Sequence, residues 1–203
     1  MPSPSFLALG DSYTIGEGVP EEGRWPVQLA TRLQAADVDV QAPRMIATTG
    51  WTTDELSAAM DEASLDAGYG FVTLLIGVNN QYRGRAQDEY REQFAALLDR
   101  AVTLAGDAAR VVVVSIPDWG VTRFAEGRDR KAIASEIDTF NAIAREEVER
   151  AGSAWVDITG ISRDAGDADD MLVDDGLHPS AAQYARWTDA IFPEAVDALS
   201  QPS

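Results

Sequence analysis

Three short, almost unbroken apolar runs constrain this chain most. Phe6-Leu7-Ala8-Leu9, Phe71 to Ile76 (Phe-Val-Thr-Leu-Leu-Ile) and Val111 to Ile116 (Val-Val-Val-Val-Ser-Ile) lack the polar alternation of a half-exposed strand. A strand that is apolar on both faces must be covered on both, the condition met in a parallel sheet between two helical layers. Ala154-Trp155-Val156-Asp157 is a shorter strand candidate, and Asp39 to Ile46 is expected to hold another despite Pro43. Between the runs the apolar period becomes helical. Tyr90, Phe94, Leu97, Leu98 and Ala101 share one face; so do Ile133, Ile137, Phe140, Ala144 and Val148, and Tyr184, Trp187, Ile191 and Leu199. Pro26 to Ala36 and Thr53 to Ser64 read as two further helices. Strands alternating with helices predict a three-layer α/β domain with helices on both faces of the sheet. Its ligand site is expected beyond the carboxyl ends of the strands.

No linker or internal repeat divides the 203 residues, so one domain is expected over residues 1–203. The net charge of −18 repels phosphate backbones and anionic membranes, so no nucleic-acid partner is expected. No apolar run approaches the roughly 18 residues of a membrane span. Met1-Pro2-Ser3-Pro4-Ser5 lacks the pattern of a signal peptide, which favours a cytoplasmic location. The absence of cysteine excludes disulfides, thiolate catalysis and zinc–thiolate sites. Oligomeric state is left open. Lys131 is the only lysine, and the acid excess serves either solubility or adaptation to high salt.

Four polar motifs follow predicted strands or precede the last helix. Ser12, in Gly10-Asp11-Ser12-Tyr13, comes three residues after the first strand. It reads either as a cap of the following helix or as a nucleophile whose N–H faces an oxyanion. Gly50 reads as a turn glycine before a helix capped by Thr52 or Thr53, or as a backbone donor at the site. Asn79, in Gly77-Val78-Asn79-Asn80, is either part of a turn or an uncharged amide donor. Asp175 and His178 are three apart in Asp-Gly-Leu-His-Pro, a spacing that lets the carboxylate reach one ring nitrogen while the other faces a serine. His178 is the only histidine, so a serine hydrolase with a histidine base has no other candidate.

In these four blocks, taken in order, the chain resembles the GDSL-type, or SGNH, hydrolase family nearly end to end. The resemblance implies a flavodoxin-like sandwich with a five-stranded parallel sheet. It also implies roles: Ser12 as nucleophile, Ser12, Gly50 and Asn79 as oxyanion donors, His178 as base and Asp175 as triad acid. Two blocks depart from the common pattern. The first has Tyr13 where leucine is usual, and the third has Asn80 where aspartate is common. No Gly-x-Ser-x-Gly elbow surrounds Ser12, which argues against the ordinary α/β-hydrolase fold.

Trp51, Tyr82 and Trp119 lie near strand ends and could wall a substrate pocket or pack loops. Arg83 and Arg123 are candidates for an anionic group or plain surface charge. The acidic stretch Asp164 to Asp170 lacks the spacing of a calcium loop, and no metal or cofactor is expected. The expected function is a metal-independent serine esterase acting on small or short-acyl carboxylic esters, with a small-molecule ester as partner. Alternatives are a carbohydrate O-acetyl esterase, a thioesterase or lysophospholipase, and a non-catalytic ligand-binding domain of the same fold. The intact Ser12, Asn79, Asp175 and His178 speak against the last.

Overall fold

The structure is a computed structural model describing residues 3–201. Five strands, β1 (Phe6–Gly10), β2 (Arg44–Ala47), β3 (Phe71–Leu75), β4 (Val111–Val114) and β5 (Ala154–Val156), form one sheet in the order β2-β1-β3-β4-β5. Every pairing is parallel. The three apolar runs are the three central strands, and each is buried along its whole length. Pro43 immediately precedes β2, an edge strand, so its missing N–H interrupts no hydrogen bond of that strand. That strand lies at the end of its sequence window and runs one residue past it, to Ala47.

The helices are α1 (Ser12–Ile15), α2 (Trp25–Ala35), α3 (Thr53–Glu62), α4 (Val78–Tyr82), α5 (Gln87–Ala105), α6 (Arg130–Ala151), α7 (Thr159–Ala165) and α8 (Ala181–Leu199). α3, α5 and α6 cover one face of the sheet; α2 and α8 pack together over the other. Tyr90 of α5 meets Phe140 of α6 with ring centroids 4.7 Å apart, and Tyr184 and Trp187 of α8 are fully buried. α3 stops short of Ser64 because that residue has φ +47, outside the helical region. α4 and α7, and the extent of the helix following β1 (α1), are not legible in the sequence; with five, seven and four residues they are too short to display a helical period.

The chain runs from β1 outward to β2, then returns past β1 to β3. That reversal opens a crevice at the carboxyl ends of β1 and β3, where sheets of this kind hold their ligands. α1 follows β1 there, and α4 follows β3.

Candidate active site

β1 and β3 approach closely at their carboxyl ends. A Cβ on Gly10 would stand 2.2 Å from Thr14 Oγ1 and 2.5 Å from the Leu75 carbonyl, so only glycine fits. Asp11 then caps α1 by accepting the Tyr13 N–H at 3.0 Å. Ser12 is the first residue of α1, so its N–H has no helical partner, and the residue is only 4% exposed. The reading of Ser12 as the cap of this helix is corrected: the cap is Asp11, and Ser12 is the first helical residue.

The histidine sits on a loop pinned at its base. Val173 N–H donates to the His178 carbonyl at 2.9 Å, and Ser180 N–H to the Met171 carbonyl at 2.9 Å. Asp175 folds back inside this loop. Its Oδ1 accepts the N–H groups of Leu177 at 2.8 Å and His178 at 2.9 Å, while Oδ2 lies 2.6 Å from His178 Nδ1. Partial burial works to raise the Asp175 carboxyl, but the hydrogen bonds from His178 and Leu177 outweigh it and hold the group below its ordinary value. A carboxylate only accepts, so Nδ1 carries a proton, and in the neutral imidazole Nε2 is then the nitrogen with the lone pair.

Asn79 is the second residue of α4. Its Nδ2 donates to the Trp51 carbonyl at 2.9 Å. A carbonyl cannot donate, which fixes the amide's orientation and leaves the second N–H of Nδ2 for a ligand. The neighbouring Asn80, fully buried, clasps α4 to the start of α3: Oδ1 accepts Thr53 N–H at 3.1 Å and Nδ2 donates to Thr53 Oγ1 at 2.7 Å. An amide is suited to a partner with one donor and one acceptor, which gives the departure at this position a structural use. Gly50 takes φ +88 in the turn between β2 and α3, and Arg83 Nη2 donates to its carbonyl at 2.6 Å. Thr52 and Glu55 form the capping box of α3.

Ser12, Asn79 and His178 line one cavity of about 150 Å³. His178 is 8% exposed, and its ring lies 5.4 Å from that of Tyr13. The Ser12 hydroxyl makes no hydrogen bond to any described residue, so a contact with Nε2 would have to form as substrate binds, as is common for unliganded sites. Tyr82 and Trp119 stand on the cavity wall, with ring centroids 5.3 Å apart. Phe124 completes the ring cluster, 6.0 Å from Trp119, and Arg128 lies 5.2–5.3 Å from all three ring centres.

Trp51 is not on this wall. Its half-buried ring packs against the core, and it touches the site through its carbonyl alone. Gly50 is likewise absent from the cavity lining, among the described residues. Arg83 and Arg123 are committed to protein groups, Arg83 to Gly50 and Glu55 and Arg123 to Asp169 at 2.6 Å. Sequence reasoning missed Phe124, Val78 and Leu177 as wall residues. Leu177 had a signal, its place beside His178; Phe124 had only its aromatic side chain.

Fold and side chains together define an ester-cleaving serine hydrolase on a flavodoxin-like sheet. The sequence model of the GDSL-like lipase/acylhydrolase family matches residues 8–186, and the chain belongs to that family. No curated protein sequence matches it. Among solved structures the chain is similar to the psychrotrophic esterase EstA from Pseudoalteromonas sp., at 17% identity and TM-score 0.75, covering 98% of this chain and 100% of that one. It is similar to Axe2, an acetylxylan esterase from Geobacillus stearothermophilus, at 19% identity and TM-score 0.75, covering 96% and 94%. The lipase/acylhydrolase from Enterococcus faecalis gives 22% identity and TM-score 0.73, covering 98% and 99%. At these identities the likeness concerns the fold.

Proposed function

We propose that this protein hydrolyses small or short-acyl carboxylic esters through an acyl-enzyme on Ser12. The observation that carries the reading is the convergence of Ser12, Asn79 and an Asp175-oriented His178 on one cavity. Ser12 Oγ attacks the ester carbonyl carbon while His178 Nε2 takes its proton. Asp175, ionised because hydrogen bonds hold its carboxyl low, stabilises the imidazolium. The oxyanion is met by the free N–H of Asn79 Nδ2 and the Ser12 N–H; Gly50 N–H, the third donor the family resemblance implies, lies outside the cavity lining and would have to approach from its edge. Collapse returns the proton to the alcohol, which leaves. Water then attacks the acyl-enzyme by the same route and releases the acid and Ser12.

A cavity of about 150 Å³ suits a short acyl group better than a long one. One observation favours a second reading, O-acetyl groups on carbohydrate. Tyr82 at 46% and Phe124 at 40% exposure put aromatic faces where a sugar ring could stack.

A fluorophosphonate probe tests the mechanism; the Pseudoalteromonas esterase is itself described as inhibited by monoethylphosphonate. Labelling should fall on Ser12 and vanish in both Ser12→Ala and His178→Ala. A folded wild-type protein that neither labels nor turns over any ester would defeat the reading. Comparing kcat/KM for p-nitrophenyl acetate and acetylated xylo-oligosaccharides separates the two substrate classes.

A further inference from the structure

Behind the catalytic cavity lies a second, much smaller void of about 10 Å³. Tyr13, Trp119 and Leu177 line both spaces, which puts these three residues between them. Three of the polar neighbours of the void are engaged with protein groups. Asp118 holds Arg163 and the Gly120 N–H, the Ser162 hydroxyl donates to the Thr159 carbonyl, and Gln183 donates to the Met171 carbonyl. Pro117, Leu172 and Pro179 supply apolar lining beside them. At its present size it admits about one water-sized body, so a run of methylenes cannot enter.

The partition residues are not equally anchored. Trp119 Nε1–H donates to Gln81 Oε1 at 2.8 Å, and the Leu177 N–H is held by Asp175 at 2.8 Å. The Tyr13 ring is held by packing alone, 5.4 Å from His178 and 6.1 Å from Trp187, and its hydroxyl bonds to no described residue. It is also the bulkiest group that a substitution can shorten without cutting a polar tie.

We propose that Tyr13 sets how long an unbranched apolar chain the substrate can carry, its phenol closing the floor that separates the catalytic cavity from the void behind it. The proposal rests on the ester-hydrolase reading and names a specificity-determining residue within it. A chain could belong to the acyl or to the alcohol side of the ester. The experiment therefore uses two series, p-nitrophenyl esters from acetate to octanoate and straight-chain alkyl acetates.

Tyr13→Leu should raise kcat/KM for the long members relative to the short ones in one series, on the order of tenfold for two newly buried methylenes. The series that responds identifies the side of the ester that meets the partition. Tyr13→Phe keeps the bulk and should reproduce the wild-type ratios. Leu177→Ala lowers the same partition from its other side and should move the same ratio, which keeps the test open if Tyr13→Leu fails to fold. Unmoved ratios in both series, for whichever of these shortened variants folds, would overturn the proposal. So would a shift caused by Tyr13→Phe, since the hydroxyl and not the bulk would then set the limit. A wild-type enzyme inert to every ester and to the fluorophosphonate probe is a different outcome, the failure of the hydrolase reading itself.

Discussion

Asp11 is a carboxylic acid held against its ordinary chemistry one residue before the proposed nucleophile. It is fully buried, and its Oδ2 has no hydrogen-bond partner among the described residues. Burial pushes its carboxyl up to about 7, although the Tyr13 N–H pulls the other way. The folded protein therefore holds this proton more tightly than the unfolded chain does. That contribution to stability is complete below the unfolded value of 3.8, declines as pH rises, and is gone above about 7. Asp11→Asn keeps the acceptor for Tyr13 and has no proton to lose. Its stability relative to wild type should improve between about pH 5 and pH 8 by about 2–3 kcal/mol, at ~1.4 kcal/mol per pH unit. Urea unfolding of both proteins at the two pH values measures this, and a constant difference would show that Asp11 titrates normally. Asn79 supports a prediction on rate rather than stability. In the proposed mechanism its free N–H acts on charge that develops only in the transition state, so Asn79→Ala should lower kcat on the order of 10²–10³-fold with little change in KM. Steady-state kinetics on a short p-nitrophenyl ester decides it; an unchanged kcat would remove Asn79 from the mechanism.

At the scale of elements, the site depends on how α4 leaves β3. Gly77 makes that turn with φ +130, and a Cβ there would stand 2.7 Å from the Tyr90 hydroxyl. Tyr90 cannot easily yield, being buried and bonded to the Ile76 carbonyl at 3.3 Å. Gly77→Ala should therefore cost about 1–3 kcal/mol and also lower kcat, because α4 carries Asn79. Gly84→Ala is the control. It shares a positive φ, +64, but meets nothing within 4 Å, so it should cost stability without affecting kcat. Equal effects of the two on kcat would break the link between this turn and the oxyanion donor. The same turn marks the limit of what the sequence made legible. β1, β3 and β4 could be read because burial on both faces leaves an apolar run, and α5, α6 and α8 because several turns display a period. α4 spans little more than one turn and leaves no such trace. Ser12 and Asn79 could be picked out by residue type and by nearness to strand ends, Asp175 and His178 by their spacing and their place before the last helix. Trp51 satisfied the same rule, yet its ring turns to the core, because position along the chain does not fix the direction of a side chain. Phe124 reaches the cavity from a single 3-10 turn, Arg123–Ala125, too short to show a period.

Across the whole molecule the dominant quantity is charge. Thirty-four acidic residues face sixteen basic ones. Several arginines each serve two carboxylates: Arg85 pairs with Asp54 and Glu89, Arg91 with Glu146 and Glu147, and Arg163 with Asp118 and Asp138. Sharing on this scale does not neutralise the surface, and the net charge of −18 remains as repulsion that the folded state concentrates. Opposed to it is a continuous core from β1 through α8, including the fully buried Trp25 and Trp187. Salt weakens repulsion between exposed charges and leaves apolar burial largely intact, since the screening length falls to about 10 Å at 0.1 M. Exposed ion pairs lose some strength too, but such pairs contribute little, about 0–1 kcal/mol each. Repulsion outweighs them at this charge imbalance, so added sodium chloride should raise the urea midpoint, most steeply over the first few tenths molar. Ser12→Ala should show the same rise, because the effect belongs to the surface and not to the site. Equal midpoints in low and molar salt would mean that ion pairs and repulsion cancel, leaving the acid excess to act on solubility alone.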